Sequence, residues 1–182
     1  MEIDLSTEQF PAVFLDRDGT LMHDVDYCGD PKNVELFHGV PDALRGLKKA
    51  RYRLIVITNQ SGIGRGYFSE TEYRAVETEL SRQIGENIID ATYYCPHLPA
   101  DSCDCRKPSP QMIHHAAREH HLDLSRSFFI GDKKSDIECG RNAGVRTILV
   151  RTGYGKETEA HLADFTAEDL KEAADIILQN AS

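Results

Sequence analysis

No apolar run in the chain approaches 18 residues, which excludes a membrane-spanning helix. The N-terminal stretch MEIDLSTEQF lacks the basic start and apolar segment of a signal peptide. Positive charge is scarce: 21 Lys+Arg stand against 30 Asp+Glu, a formal net charge of −9. That balance disfavours broad binding to nucleic acid or to an anionic membrane surface. It leaves an anionic substrate open, because a metal ion or a few local cations can reverse the field inside a cleft. A paired set of cysteines is missing as well. There are five, Cys28, Cys95, Cys103, Cys105 and Cys139, and three of them fall within eleven residues. An odd, clustered set does not read as a secreted disulfide framework; it reads as a metal site. Internal repeats, low-complexity stretches and linkers are absent too. These absences predict a cytoplasmic protein with no nucleic-acid or membrane partner.

What is present fits one domain. The 182 residues, 40% hydrophobic and 28% charged, are enough to bury a core without disulfides. A single domain over 1–182 is expected, with its core at about 12–152 and a C-terminal helix at about 166–178. The pattern alternates strand and helix. Ala12–Leu15 is a short apolar run that suggests a buried strand, Arg53–Thr58 is continuous and rich in β-branched residues, as a strand covered on both faces would be, and Ala91–Tyr94, Phe128–Ile130 and Arg146–Val150 read as further strands. Helices are predicted over Val40–Ala50, from Ser69 (with Glu72 as a capping box) to Ile84, over Ser109–His121 with Pro110 at the first position, over Ser135–Asn142, and from Thr166 with Asp169 to Leu178. This alternation predicts an α/β fold, a doubly wound, Rossmann-like parallel sheet. Leu21–His38 is the longest irregular segment and is read as a flap. No separate cap domain fits between Asp18 and Thr58 or between Thr58 and Lys107.

In such sheets ligands sit beyond the carboxyl ends of the strands, so the polar residues just after each strand are the chemical candidates. Asp16 and Asp18 follow the first strand. Two neighbouring carboxylates repel unless they share a proton or a cation, and a hard divalent ion such as Mg2+ suits oxygen ligands. Gly19 permits a tight turn that Thr20 can cap. Thr58, with the backbone of Asn59 and Gln60 and the glycines at 62, 64 and 66, offers donors for a phosphoryl oxygen. Lys107, in Arg106-Lys107-Pro108, adds a cation. Asp132, in Gly131-Asp132-x-x-x-Asp136, can complete a metal shell, with Asp136 close by on the next helix turn. Taken one at a time, these are a solvated acidic turn, a strand-ending turn and a surface lysine. Cys95, His97, Cys103 and Cys105 supply three thiols and one imidazole, a closed zinc set with no open position for water. This zinc is expected to be structural and to fix the loop that delivers Arg106 and Lys107. Cys28 and Cys139 read as ordinary small residues, and His114, His115, His120 and His121 as solvated helix positions.

The order D-x-D, Thr, Lys, G-D-x-x-x-D resembles the haloacid-dehalogenase superfamily of phosphohydrolases. The motif C-x-H…C-x-C-R-K-P narrows the resemblance to the branch holding heptose 1,7-bisphosphate 7-phosphatases and histidinol-phosphate phosphatases. It covers roughly residues 12–152. The resemblance implies that Asp16 is the nucleophile and that Asp18 protonates the leaving oxygen and then activates water. Thr58 and Lys107 would bind the transferring phosphoryl group. Asp16, the backbone carbonyl of Asp18 and Asp132 would hold a catalytic Mg2+. Asp24, Tyr27, Asn59, Gln60, Ser61, Arg106 and Lys133 would shape the substrate pocket, with Arg106 facing a second phosphate. Electrostatics agrees with this division, since a carboxylate that attacks a phosphate dianion needs cations beside it, and an acid beside a nucleophile needs its pKa raised.

The stretch TNQSGIGRG, Thr58–Gly66, is similar to the heptose enzymes, and that resemblance implies the heptose bisphosphate, a precursor for lipopolysaccharide or S-layer heptose, as substrate. The short Leu98–Ser102 loop, in the wording CPHLPADSCDCRKP, resembles the histidinol-phosphatase branch and implies histidinol phosphate as the alternative substrate. A signalling receiver domain uses a similar residue set, but there the acids and the lysine follow another order. A zinc-stabilised binding module and a phosphotransferase with another acceptor are further alternatives. A capless site needs no partner to close it, so a monomer acting on a small phosphorylated metabolite is expected.

Overall fold

The structure, a computed structural model, describes residues 8–180; the first seven residues of the acidic N-terminal stretch lie outside them. Six parallel strands form one sheet: β1 (Ala12–Leu15), β2 (Arg53–Asn59), β3 (Ala91–Cys95), β4 (Phe128–Gly131), β5 (Arg146–Val150) and β6 (Phe165–Ala167). Their order is β3-β2-β1-β4-β5-β6. Residue alternation divides the core. Val13 and Leu15 face one side with α1 (Val40–Lys49), α3 (Glu70–Ile84) and α6 (Leu170–Gln179). Ala12 and Phe14 face the other with α4 (Gln111–Glu119) and α5 (Lys134–Ala143). Both faces are therefore covered at the middle of the sheet, which is why β1, β2, β4 and β5 read as mostly apolar runs, whereas β3 and β6 are only partly buried. Among the described residues, none of the connections forms a separate lid over the sheet, and no helix is long and apolar enough to cross a membrane.

Local chemistry explains the helix starts. Ser69 accepts from the Glu72 N–H at 3.2 Å while Glu72 accepts from the Ser69 N–H at 2.7 Å, the reciprocal capping box expected at α3. The last helix differs from expectation. Asp169 caps it by accepting from Glu172 N–H at 2.9 Å, and Thr166 lies instead in β6. Three residues carry no period, so that strand exists only because β5 pairs with it, Val150 opposite Ala167. The helix predicted over Ser109–His121 is shorter. Pro110 precedes its first turn, and at its end His121 turns left-handed (φ 51°) so that its carbonyl accepts from Phe10 N–H at 3.0 Å. The segment that enters the central strand β1 thus ends the helix.

The segment after β1 is also more ordered than an irregular flap. Leu21 and Met22 are fully buried, Met22 bridges Asp18 and Leu36, and Pro31–Asn33 forms a single helical turn. The part that reaches over the site is the tip, Asp24–Tyr27, where Asp26 and Tyr27 both have positive φ. Thr20 does not cap the turn: its hydroxyl is buried without a hydrogen-bond partner, and Gly19 N–H to Met22 O at 2.8 Å closes the loop. Ser61–Gly64 is a short helix, α2, where an open loop was expected. Its Gly64 is needed for close approach to protein rather than to a ligand, since a Cβ there would lie 2.6 Å from the Pro96 carbonyl.

Candidate active site

β1 has β2 on one side and β4 on the other, so the direction in which successive strands are added reverses beside it, and a crevice opens at the carboxyl ends of these parallel strands. Asp16 leaves β1 there, tied by its N–H to Ile130 O at 3.0 Å. Thr58 and Asn59 are the last residues of β2, and Asp132 follows the last residue of β4. Lys107 arrives from the cysteine loop. Its ammonium is buried and donates to Asp16 Oδ1 at 2.6 Å and to the Ile57 carbonyl at 2.8 Å, and it lies 2.7 Å from Asp136 Oδ1. Burial opposes its charge, but Asp136 and Asp16 outweigh that and raise its pKa. Asn59 holds the lysine's backbone in both directions, accepting from Lys107 N–H at 3.0 Å and donating to Lys107 O at 3.2 Å.

The acids are strongly perturbed. Burial, then the Asp136 carboxylate, pushes Asp16 up to about 6, with Lys107 and Lys133 pulling the other way. Burial, then Asp16 and Asp136, pushes Asp132 up to about 8. Carboxylate oxygens of Asp16, Asp132 and Asp136 lie within 4.8 Å of one another. Asp132 Oδ2 accepts from Tyr154 N–H at 2.8 Å, whereas its Oδ1 is buried with no partner. Gly19, at φ +90°, leaves the space beside Asp132; a Cβ there would fall 2.3 Å from Asp132 Oδ2. An orphaned buried carboxylate oxygen among three clustered acids fits a hard divalent cation. Asp136 is the ligand candidate that the expected set omitted. It is engaged on both oxygens, by Lys107 and by the Lys133 N–H at 3.0 Å.

Asp18 is turned differently from Asp16. Its carboxylate accepts from Arg17 Nε and Nη2, both at 3.0 Å, and from Gln60 Nε2 at 2.9 Å. The metal role implied for Asp18 falls on its backbone carbonyl, so these bonds to its carboxylate do not compete with it. Gln60 Nε2 also donates to Thr58 Oγ1 at 2.8 Å.

A recess of about 50 Å3 lined by Asp16, Thr58 and Lys107 opens beside a larger cleft of about 310 Å3. All seven residues expected to meet the substrate, Asp24, Tyr27, Asn59, Gln60, Ser61, Arg106 and Lys133, line that cleft. Lys133 donates to Asp24 Oδ2 at 3.1 Å and stands 4.7 Å from the Tyr154 ring centre. Arg106 donates to His97 O at 3.2 Å, which ties the cleft to the cysteine loop. There the Cys95, His97, Cys103 and Cys105 donors converge: His97 Nδ1 is 3.2 Å from Cys105 Sγ and 3.5 Å from Cys95 Sγ, and Cys95 Sγ is 3.5 Å from Cys103 Sγ. All four cysteine and histidine donors lie within 4.8 Å of one another and no disulfide forms, so the set fits a tetrahedral zinc. Cys28 and Cys139 are buried away from it.

Sequence reasoning missed Arg17, Glu77 and Tyr154. Arg17 was visible only as the middle residue of D-x-D. Glu77 and Tyr154 carry no local signal, because the fold alone brings them to the site.

Residues 104–173 match a family model described as HAD-hydrolase-like. The chain is 41% identical over 171 residues to the D-glycero-beta-D-manno-heptose-1,7-bisphosphate 7-phosphatase of Escherichia coli K12, covering 88% of this chain and 90% of that protein. It is 40% identical over 169 residues to the Haemophilus influenzae protein of the same name, covering 87% and 92%. A solved structure of D,D-heptose 1,7-bisphosphate phosphatase from B. bronchiseptica, complexed with magnesium and phosphate, superposes with a TM-score of 0.87 at 33% identity. That match covers 94% of this chain and 99% of that one.

Proposed function

The chain belongs to the HAD-like hydrolases, and from that premise we propose that it is a single-domain, cytoplasmic, Mg2+-dependent phosphatase that removes the 7-phosphate of D-glycero-D-manno-heptose 1,7-bisphosphate. One observation carries the reading: Asp16, Thr58, Lys107 and Asp132 come from separate segments of the chain and meet at the sheet's switch point beside Asp18.

Asp16 attacks phosphorus. The Asp16–P bond forms as the bond from phosphorus to the ester oxygen breaks, and that oxygen takes the electron pair and a proton from Asp18. Asp18, now a base, takes a proton from water as the water oxygen attacks the aspartyl-phosphate, which returns Asp16 and releases orthophosphate. Thr58 Oγ1 and Lys107 Nζ bind the phosphoryl oxygens. Lys107 already contacts Asp16, so its charge stays beside the reacting atoms throughout. Asp16, Asp132 and the Asp18 carbonyl would hold Mg2+, which when bound offsets the repulsion between carboxylate and phosphate. Lys133 and Arg106 supply the cationic wall for the rest of a doubly phosphorylated sugar, and Asp24, Tyr27 and Asn59–Ser61 shape it. Zinc on Cys95, His97, Cys103 and Cys105 would hold the loop that carries Arg106 and Lys107, and it takes no part in the reaction.

In its short Leu98–Ser102 loop the chain resembles the histidinol-phosphate phosphatases, which makes histidinol phosphate the competing substrate. Orthophosphate release decides between them, measured on both anomers of the heptose bisphosphate, its monophosphate and histidinol phosphate, with and without Mg2+. The expected result is Mg2+-dependent release of one phosphate from the heptose bisphosphate. Faster turnover of histidinol phosphate would overturn the substrate, and no release from any of the esters would overturn the activity.

A further inference from the structure

Arg17 is wholly buried, and a buried guanidinium is tolerated only when its charge and its N–H groups are matched. Two carboxylates match it. One fork edge, Nε and Nη2, grips Asp18 through two bonds of 3.0 Å. Nη1 donates to Glu77 Oε1 at 2.8 Å. Nη2 also reaches Gln60 Oε1 at 3.1 Å, and the Tyr73 ring centre lies 5.6 Å from the guanidinium carbon. Glu77 and Tyr73 sit on α3, whose Tyr73, Val76, Leu80 and Ile84 are buried against the sheet. An arginine bound to Asp18 alone would move with it. Bound to Glu77 as well, it fastens Asp18 to a helix that belongs to the rigid core.

We propose that Glu77, acting through Arg17, is a positioning residue that sets the Asp18 carboxyl in line for proton transfer to the leaving oxygen. The inference rests on the acid–base role given to Asp18 above. Its consequence is selective. Esters whose leaving oxygen needs a proton depend on where Asp18 points; esters whose leaving group departs as a stable anion do not. A residue that only supported the fold would affect both classes alike.

The test compares kcat/KM for the heptose bisphosphate, an alkyl ester, with that for 4-nitrophenyl phosphate, in wild type, Glu77→Ala, Glu77→Gln and Asp18→Asn, all with Mg2+. Glu77→Ala is expected to lower the alkyl value at least tenfold and the aryl value less than threefold. Glu77→Gln, which keeps an acceptor for Arg17 Nη1, should recover most of the loss. Orthophosphate affinity, read by calorimetry, should stay within twofold of wild type in Glu77→Ala. Equal losses on both esters in the Glu77 variants, or a phosphate affinity that falls in step with them, would show Glu77 to be structural and overturn the inference. Should Glu77→Ala not fold, Glu77→Asp decides: it keeps the charge but draws Arg17 aside, and a several-fold loss confined to the alkyl ester is expected, with no selective loss counting against the idea. Asp18→Asn separates the two levels. If it fails to discriminate between the esters, the acid role of Asp18 itself falls; if it discriminates and Glu77 variants do not, only the positioning claim falls.

Discussion

Asp16 and Lys107 form the tightest charged contact in the crevice, 2.6 Å apart and both buried. Replacing Asp16 by Asn keeps the shape and removes the carboxylate proposed as nucleophile. Phosphate release is expected to fall more than about a thousandfold with the fold intact by circular dichroism. Residual turnover near wild type would remove Asp16 from its role. Lys107→Ala leaves Asp16 and Asp136 facing each other without their shared cation. Breaking a buried pair in this way costs about 3–5 kcal/mol, so urea unfolding should move to lower midpoint as activity disappears. A variant of full stability would show that the pairing contributes little to folding.

Elements present these residues, and two of them can be tested separately from the chemistry. The cysteine loop runs from the buried end of β3 to Lys107, and its donor set converges without a disulfide. Cys103→Ser should lower zinc content and melting temperature, with activity lost only as the loop loosens, because structural zinc couples to folding. Full zinc occupancy in that variant would mean that the ligand set is misassigned. The capping box of α3 is exposed at the start of the helix that carries Glu77. Ser69→Ala removes a cap and should cost about 1 kcal/mol in chemical denaturation; no measurable change would show that tertiary packing alone holds that end.

Across the whole molecule, the acidic crevice links stability to pH and to divalent cation. Asp16 and Asp132 both stand above their ordinary range, at about 6 and about 8. The folded state therefore holds their protons more tightly than the unfolded chain does. In the cation-free protein their contribution favours folding fully below the ordinary carboxylate range and is lost as pH rises through about 6 and then about 8. Cation binding displaces those protons. The apparent affinity for Mg2+ is expected to climb between pH 6 and 8, and the rise in melting temperature on adding Mg2+ should be larger at the upper end. Thermal denaturation at several pH values, with EDTA or with Mg2+, measures both. An Mg2+ shift that is flat or shrinks as pH rises would contradict the proton linkage.

Much of this molecule could be read along the chain, because the information was local. Ala12–Leu15 and Arg53–Asn59 are apolar on both faces, the Ser69–Glu72 box is four residues long, and Asp16, Thr58 and Asp132 sit at strand ends where a parallel sheet places chemistry. The Cys95–Cys105 donors are close in sequence, so their cluster needed no long-range contact to be seen. What escaped reading depends on distant partners. β6 is a strand because β5 lies beside it, α4 stops where Phe10 takes the His121 carbonyl, and Thr20 is left without a partner by a turn that backbone bonds close. Arg17 is only the middle residue of D-x-D in the sequence, and Glu77, sixty residues away, meets its guanidinium only in the fold. Spacing along a backbone constrains which chemistry is possible, but a side chain's orientation and charge state follow from the neighbours that folding brings to it.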